Sequence, residues 1–221
     1  MRPLRFLSSW TLLALVWAAA ASMLWLGCRD TPALRLLDAQ PVLWRIQPWR
    51  LWTAALVHWS GLHLVFNLAG CAALMAWGHA ADVKLRHTLA WLLAWPLVQL
   101  GFSAFSGLPH YGGLSGVLHA GVAIGCWALL RQSQAPRRRI GALVLLGLCL
   151  KVALEQPWLL QALGLDEAVA PLIGAPGWVV ASGAHLAGLV AGLACAALVD
   201  GAARLRGWFS PCARDDRAAV H

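Results

Sequence analysis

The chain has 221 residues, of which 60% are apolar and 12% charged, and its mean hydropathy is +0.67; a water-soluble domain carries roughly a quarter charged residues. This composition excludes an ordinary soluble domain and predicts a membrane protein. The formal charge of +8 does not point to nucleic acid, because the basic residues fall in short segments between apolar runs rather than along one face.

A membrane helix needs roughly 20 largely apolar residues, and six stretches meet or approach that length. The first, about 6–27, is too long for a signal-peptide core, and Trp25 makes the following Gly27-Cys28 a poor lipoprotein cleavage site. Residues 28–54 carry Arg29, Arg35, Arg45 and Arg50 with Pro32, Pro41 and Pro48, the composition of a structured loop. Spans at about 55–78, 87–105, 113–131 and 140–156 follow. A loop at 157–178 holds Asp166 and Glu167 and no basic residue, and a last span at about 179–200 leads to a polar tail at about 206–221. The expected fold is all-α: a polytopic, six-transmembrane-helix bundle forming a single membrane domain over residues 1–221.

Twelve of the seventeen Lys and Arg residues lie in segments 1–5, 79–87, 131–139 and 201–221, so the positive-inside rule predicts both termini in the cytoplasm. Fourteen tryptophans against one tyrosine fit indole rings collecting at the two membrane boundaries. The six cysteines, Cys28, Cys71, Cys126, Cys149, Cys195 and Cys212, form no CxxC pair and fall mostly in apolar runs. They predict neither a disulfide framework nor a zinc site.

Strongly polar side chains inside spans are costly and usually functional, and here they cluster at the outer ends of three. Span 2 opens with His58, His63 and Asn67, span 4 with Ser115 and His119, and span 6 with His185. His63 and Asn67, at i and i+4, share one helix face, and His58 falls about 140° away if the helix already includes it. Taken singly, a buried His or Asn is more often an interhelical hydrogen-bond partner; five such groups at one depth, on three spans, favour a site.

Ser115 follows Gly112 and Gly113 and precedes Gly116, so the backbone can turn tightly there and start a helix whose first N–H groups lack intrahelical partners. Small residues Gly116, Ala120 and Ala123 on span 4 match Ala184, Gly188 and Gly192 on span 6, and close packing of these faces brings His185 toward Ser115. Serine with histidine is a nucleophile and its base. All nine Asp and Glu residues lie outside the spans or at their margins with no evident route to His185, so a Ser–His dyad is expected rather than a triad. His58 and His63 at i, i+5 share no acidic or thiolate co-ligand, so no metal and no other cofactor is expected.

These residues resemble the rhomboid intramembrane serine proteases. His58, His63 and Asn67 match an HxxxxHxxxN pattern, Gly113, Ser115 and Gly116 a GxSG pattern, and Ala184, His185, Gly188 and Gly192 an AHxxGxxxG pattern. Trp49-Arg50 matches a WR pair in the first loop. The resemblance implies that Ser115 attacks the substrate carbonyl with His185 as its base, that Asn67, His63 and the Ser115 N–H form the oxyanion hole, and that His58 supports that corner. Many rhomboids have tyrosine four residues after the serine; here it is His119. With "YGGLSGVLH" and the compact frame, this is similar to the rhombosortase branch. That branch implies as substrates membrane-anchored proteins with a C-terminal Gly-Gly stretch, apolar helix and basic tail (GlyGly-CTERM). It also implies a place in the bacterial inner membrane with the site toward the periplasm. The alternatives are a rhomboid protease acting on ordinary single-span proteins and a non-catalytic protein that binds membrane helices.

Overall fold

The computed structural model describes residues 8–29, 32–105, 108–165 and 181–209. Six long helices follow one another: α1 (Ser9–Cys28), α2 (Gly61–Ala80), α3 (Leu85–Phe105), α4 (Ser115–Leu130), α5 (Ala135–Leu154) and α6 (Ser182–Phe209). Among them α1, α2 and the Ser182–Leu205 part of α6 are long and apolar enough to cross a bilayer unaided, and α4 is a shorter apolar helix. The all-α bundle agrees with the sequence reading, with shifted boundaries. The second helix starts at Gly61 because Ser60 caps it, its hydroxyl accepting the His63 N–H at 3.2 Å. His58 therefore precedes the helix, and the helical angle expected between His58 and His63 does not apply. At the other end of the chain, α6 continues to Phe209, nine residues past the predicted end of the span; Asp166, Glu167, Cys212 and the tail from 210 lie outside the described residues.

The core is built around α4, whose sixteen residues are mostly buried and which touches α2, α3, α5 and α6. Helix α6 packs on both α3 and α4, while α1 lies against α2. The α4–α6 contact runs through small residues. A Cβ on Gly188 would collide with the Gly116 carbonyl oxygen, and one on Gly192 would stand 2.6 Å from the Ala120 carbonyl oxygen. Backbone cannot yield there as a flexible side chain can, so the two helices approach this closely only because glycine stands at these positions.

Several tryptophans pack the interior instead of lining the boundaries. Trp10 stacks on Trp91 at 4.1 Å between ring centroids, and Trp17 meets Trp91 edge-on at 4.6 Å. Buried indoles usually find a partner for the N–H: Trp10 donates to the Leu74 carbonyl at 2.8 Å and Trp91 to that of Val117 at 2.7 Å, while the Trp17 N–H has none among the described residues. Trp49, Trp52, Trp59 and Trp158 are exposed and keep the boundary reading open for those four. At the end of the bundle away from Ser115, Asp200 on α6 accepts from Arg86 on α3 at 2.6 Å and from Trp127 on α4 at 2.9 Å. That carboxylate ties three helices.

The first loop is structured, as its prolines predict, and it is anchored by a buried ion pair. Arg50 Nη1 donates to Asp38 Oδ1 at 2.9 Å and to the carbonyls of Asp38 and Arg35 at 2.8 and 2.9 Å, while its Nε reaches Gln47 Oε1 at 2.6 Å. Asp38 in turn accepts from His110 Nδ1 at 2.7 Å and from Gln40 Nε2 at 2.8 Å. Charges taken out of water survive only when paired and hydrogen-bonded on every side. The next residue, Ala39, forms an antiparallel bridge with Tyr111 through N–H···O bonds of 2.7 and 3.0 Å. Thus the loop fixes the segment that leads into α4.

Two stability measurements test this architecture. Gly188→Val should destabilise the protein by about 3 kcal/mol, the upper part of the overpacking range, whereas Gly147→Ala, with nothing within 4 Å of the added carbon, should leave thermal unfolding in detergent unchanged or slightly improved. Arg50→Met strands the buried Asp38 carboxylate and should cost about 3–5 kcal/mol, read in the same unfolding assay.

Candidate functional site

The start of α4 is shaped by the two residues before it. Gly113 has φ +130°, a conformation that L side chains rarely adopt, and a Cβ there would stand 2.5 Å from His63 Cε1. The same lack of a side chain at Gly112 lets the chain pass against the Val57 carbonyl, and Gly113 N–H donates to the Ala54 carbonyl at 3.0 Å. Leu114 is the N-cap residue, its carbonyl accepting the Leu118 N–H at 2.9 Å. Ser115 is therefore the first helical residue, and the N–H groups of Ser115 and Gly116 lie in the first turn, where no helical carbonyl precedes them. The buried Tyr111 phenol donates to the Gly113 carbonyl at 3.0 Å and braces the same turn.

Helix α6 brings its own first turn to this point. A Cβ on Gly116 would stand 2.8 Å from the Ala184 carbonyl oxygen, so the residue before His185 lies against the residue after Ser115. A cavity of about 1140 Å³ opens in front, and Ser115, His119, His185, His63 and Asn67 all line it. Its walls come from α2 (Phe66, Gly70, Trp77), α4 (Leu118, Val122) and α5 (Leu148, Lys151). Most of that wall is apolar, with the polar groups gathered at the end where α4 and α6 begin.

On the α2 side, Asn67 Nδ2 donates to His58 Nε2 at 3.0 Å, and His58 Nδ1 donates to the Leu56 carbonyl at 3.1 Å. The carbonyl can only accept, so it places the His58 proton on Nδ1 and leaves Nε2 as the acceptor. His58 is buried and does not line the cavity; it holds the Asn67 amide from behind. His63 stands beside it, ring centroids 4.9 Å apart, over Gly113. Gly113 and Gly116 thus serve by making room, for the His63 ring and for the α6 backbone respectively.

On the α6 side, His119 stacks on His185 with ring centroids 4.0 Å apart and planes inclined by 14°. His119 Nδ1 donates to the Ser115 carbonyl at 2.7 Å, and its Nε2 accepts from Lys151 Nζ at 3.0 Å. The expectation that no carboxylate reaches His185 does not hold: Glu155 Oε2 lies 2.7 Å from His185 Nδ1, and Glu155 Oε1 lies 2.6 Å from Lys151 Nζ. Glu155 follows the last residue of α5, and the fold swings that helix end over the start of α6. Its trace in the sequence is a Lys-Glu pair at i, i+4 closing an otherwise apolar span.

His119, Glu155 and His185 offer donor atoms within 4.8 Å of one another, a spacing that admits a metal ion. Their arrangement does not suit one. Imidazole lone pairs lie in the ring plane, and two nearly parallel rings stacked at 4.0 Å cannot both aim at one ion, while His119 Nε2 already accepts from an ammonium. The chemistry these groups support is proton transfer beside a hydroxyl, with N–H donors from α2 and from the first turn of α4 facing the same cavity.

Comparison with known proteins shows the family. A Rhomboid domain matches residues 45–201, from the first loop through α6. A similar protein is the Rhomboid protease GlpG of Photorhabdus laumondii, 30% identical over 151 residues that make up 66% of this chain and 45% of the relative. The chain thus spans less than half the length of that protein. The domain match covers Arg50 of the loop ion pair but not Asp38, together with the glycine-spaced α4–α6 contact and the residues His63, Asn67, Ser115, His119 and His185 at the cavity's polar end. An integral membrane protein of all-α, polytopic build, this chain belongs to the rhomboid family.

Proposed function

We propose that the protein is an intramembrane serine endopeptidase. The observation that carries this reading is the meeting of two first helical turns, Ser115 on α4 and His185 on α6, at the polar end of a largely apolar cavity. Peptide hydrolysis at a membrane needs such a place, because backbone in a lipid-embedded helix is already hydrogen-bonded and unavailable. Ser115 Oγ attacks the scissile carbonyl as His185 Nε2 takes its proton, and His185 returns that proton to the leaving amine. Negative charge developing on the carbonyl oxygen is met by the Asn67 amide, His63 and the Ser115 N–H. The acyl-enzyme is then released by water through the same steps in reverse order.

For the substrate, we infer a membrane-anchored protein whose C-terminal apolar helix is preceded by a Gly-Gly stretch. His119 in place of tyrosine and the YGGLSGVLH run support the rhombosortase reading, and glycine makes local sense. It weakens a helix by about 1 kcal/mol per residue relative to alanine, easing the extension a protease requires. The charge distribution supports both termini in the cytoplasm with the Ser115 end of the cavity on the opposite side, and the rhombosortase reading makes that side the periplasm of a bacterial inner membrane. A general rhomboid protease of single-span proteins is the second reading, favoured by the similarity to the Rhomboid protease GlpG.

In detergent, a fluorophosphonate probe should label the wild type, with labelling lost in both Ser115→Ala and His185→Ala while thermal unfolding is retained; labelling that persists in Ser115→Ala rejects the nucleophile. Asn67→Ala should slow turnover of a Gly-Gly reporter substrate by about a hundred- to a thousandfold, the range for one oxyanion donor, and a reporter lacking the glycines but cut equally well would favour the general protease.

A further inference from the structure

We propose, building on the assignment of His185 as the base for Ser115, that Glu155 is the positioning residue that turns the pair into a Ser–His–Glu array, with Lys151 and His119 holding it in place. The hydrogen bonds fix the direction of every proton. The Ser115 carbonyl can only accept, so His119 carries its proton on Nδ1 and presents a lone pair at Nε2, which takes an N–H from Lys151 at 3.0 Å. Lys151 gives a second N–H to Glu155 Oε1 at 2.6 Å. The carboxylate is thereby held ionised, and its other oxygen, 2.7 Å from His185 Nδ1, accepts the Nδ1–H. Only one tautomer of His185 satisfies this contact: proton on Nδ1, lone pair on Nε2. That lone pair is the one a nucleophilic serine needs.

Burial separates positioning from direct chemistry. Lys151, His119 and His185 line the cavity, whereas Glu155 does not, and its side chain is only 11% exposed. Glu155 therefore acts through His185 and not on the substrate. When His185 takes the Ser115 proton at Nε2, the imidazolium charge is stabilised by the carboxylate already at Nδ1 and Glu155 itself gains no proton; the proton then leaves with the amine, and the array is restored. His119 cannot compete as base, since both of its nitrogens are engaged, and its ring, stacked at 4.0 Å on His185, sets the tilt of the imidazole. Because Glu155 belongs to the end of α5 and His185 to the start of α6, the array is complete only when those two helix ends are together.

The test uses the full chain in detergent micelles with a fluorophosphonate probe, separating the maximal labelling rate from the half-saturating probe concentration. Glu155→Gln keeps shape and hydrogen bonding but can donate to Nδ1 and trap the wrong tautomer. It should lower the maximal rate by about 100- to 10,000-fold, with half-saturation and thermal unfolding unchanged, and Glu155→Asp should recover part of the loss. A purely structural tie between α5 and α6 predicts instead that Gln is as good as Glu, so a Gln variant within threefold of wild type overturns the proposal. Loss of labelling in Ser115→Ala is the separate control for the nucleophile; its failure rejects the protease reading and leaves the Glu155 result to a second measurement. In wild-type protein with 15N-labelled histidine, His185 should show a low-field Nδ1–H proton resonance that disappears in Glu155→Gln, independent of any catalysis. A wild-type His185 protonated on Nε2 overturns the array outright.

Discussion

Everything at the polar end of this bundle depends on how closely α4 and α6 approach. Gly188 lies on the Gly116 carbonyl and Gly192 on that of Ala120, so the two backbones are separated by no side chain. Lipid supplies no hydrophobic force to press helices together, and their association relies on such close packing. The same contact sets Ala184 against Gly116, and with it the register between Ser115 and His185. A shift of one residue along either helix would turn one of the two side chains away by about 100°.

A second constraint is the accounting of polar groups. A membrane bundle has little water to satisfy a stray donor, and three networks hold most of the described charged groups inside it, although the buried Gln99 amide on α3 finds no partner among the described residues. Asp38, Arg50 and His110 hold the first loop; Arg86, Trp127 and Asp200 hold the far end; Lys151, Glu155, His119 and His185 surround the cavity. The first and third are linked through the chain, because the Ala39–Tyr111 bridge leads directly into the turn that presents Ser115. Loop, turn and helix start therefore form one support, which is how residues 72 positions apart in sequence come to define one hydroxyl.

The cavity is asymmetric in a way that suits a proteolytic role. Its α2 side offers amide and imidazole donors held from behind by His58, and its α6 side offers the stacked histidines with their carboxylate. A peptide carbonyl lying between them would meet donors on one flank and a base on the other. The remaining wall, from Phe66 and Trp77 on α2 to Leu148 on α5, is the kind of surface along which an apolar helix can rest.

Much of this was legible in the sequence. Membrane class follows from 12% charge, and the groups that line the cavity's polar end, His63, Asn67, Ser115, His119 and His185, stood out because a polar side chain in an apolar run has few cheap explanations. The glycines on spans 4 and 6 announced close packing because their spacing matches the helical repeat. Other features had no such local signal. His58 precedes α2 because of the Ser60 cap, a competition between a capping hydroxyl and one more helical turn. Trp10, Trp17 and Trp91 became interior packing because an indole suits either a boundary or a core, and only neighbouring helices decide between them. Glu155 was invisible as a partner of His185 because it sits thirty residues away at a helix end, where acidic residues ordinarily face water. Sequence by itself determined which residues are too polar for lipid and which faces are small enough to pack; tertiary structure decided which of them meet, because hydrogen-bond partners are set by how helices cross, and crossing is a property of the assembled bundle.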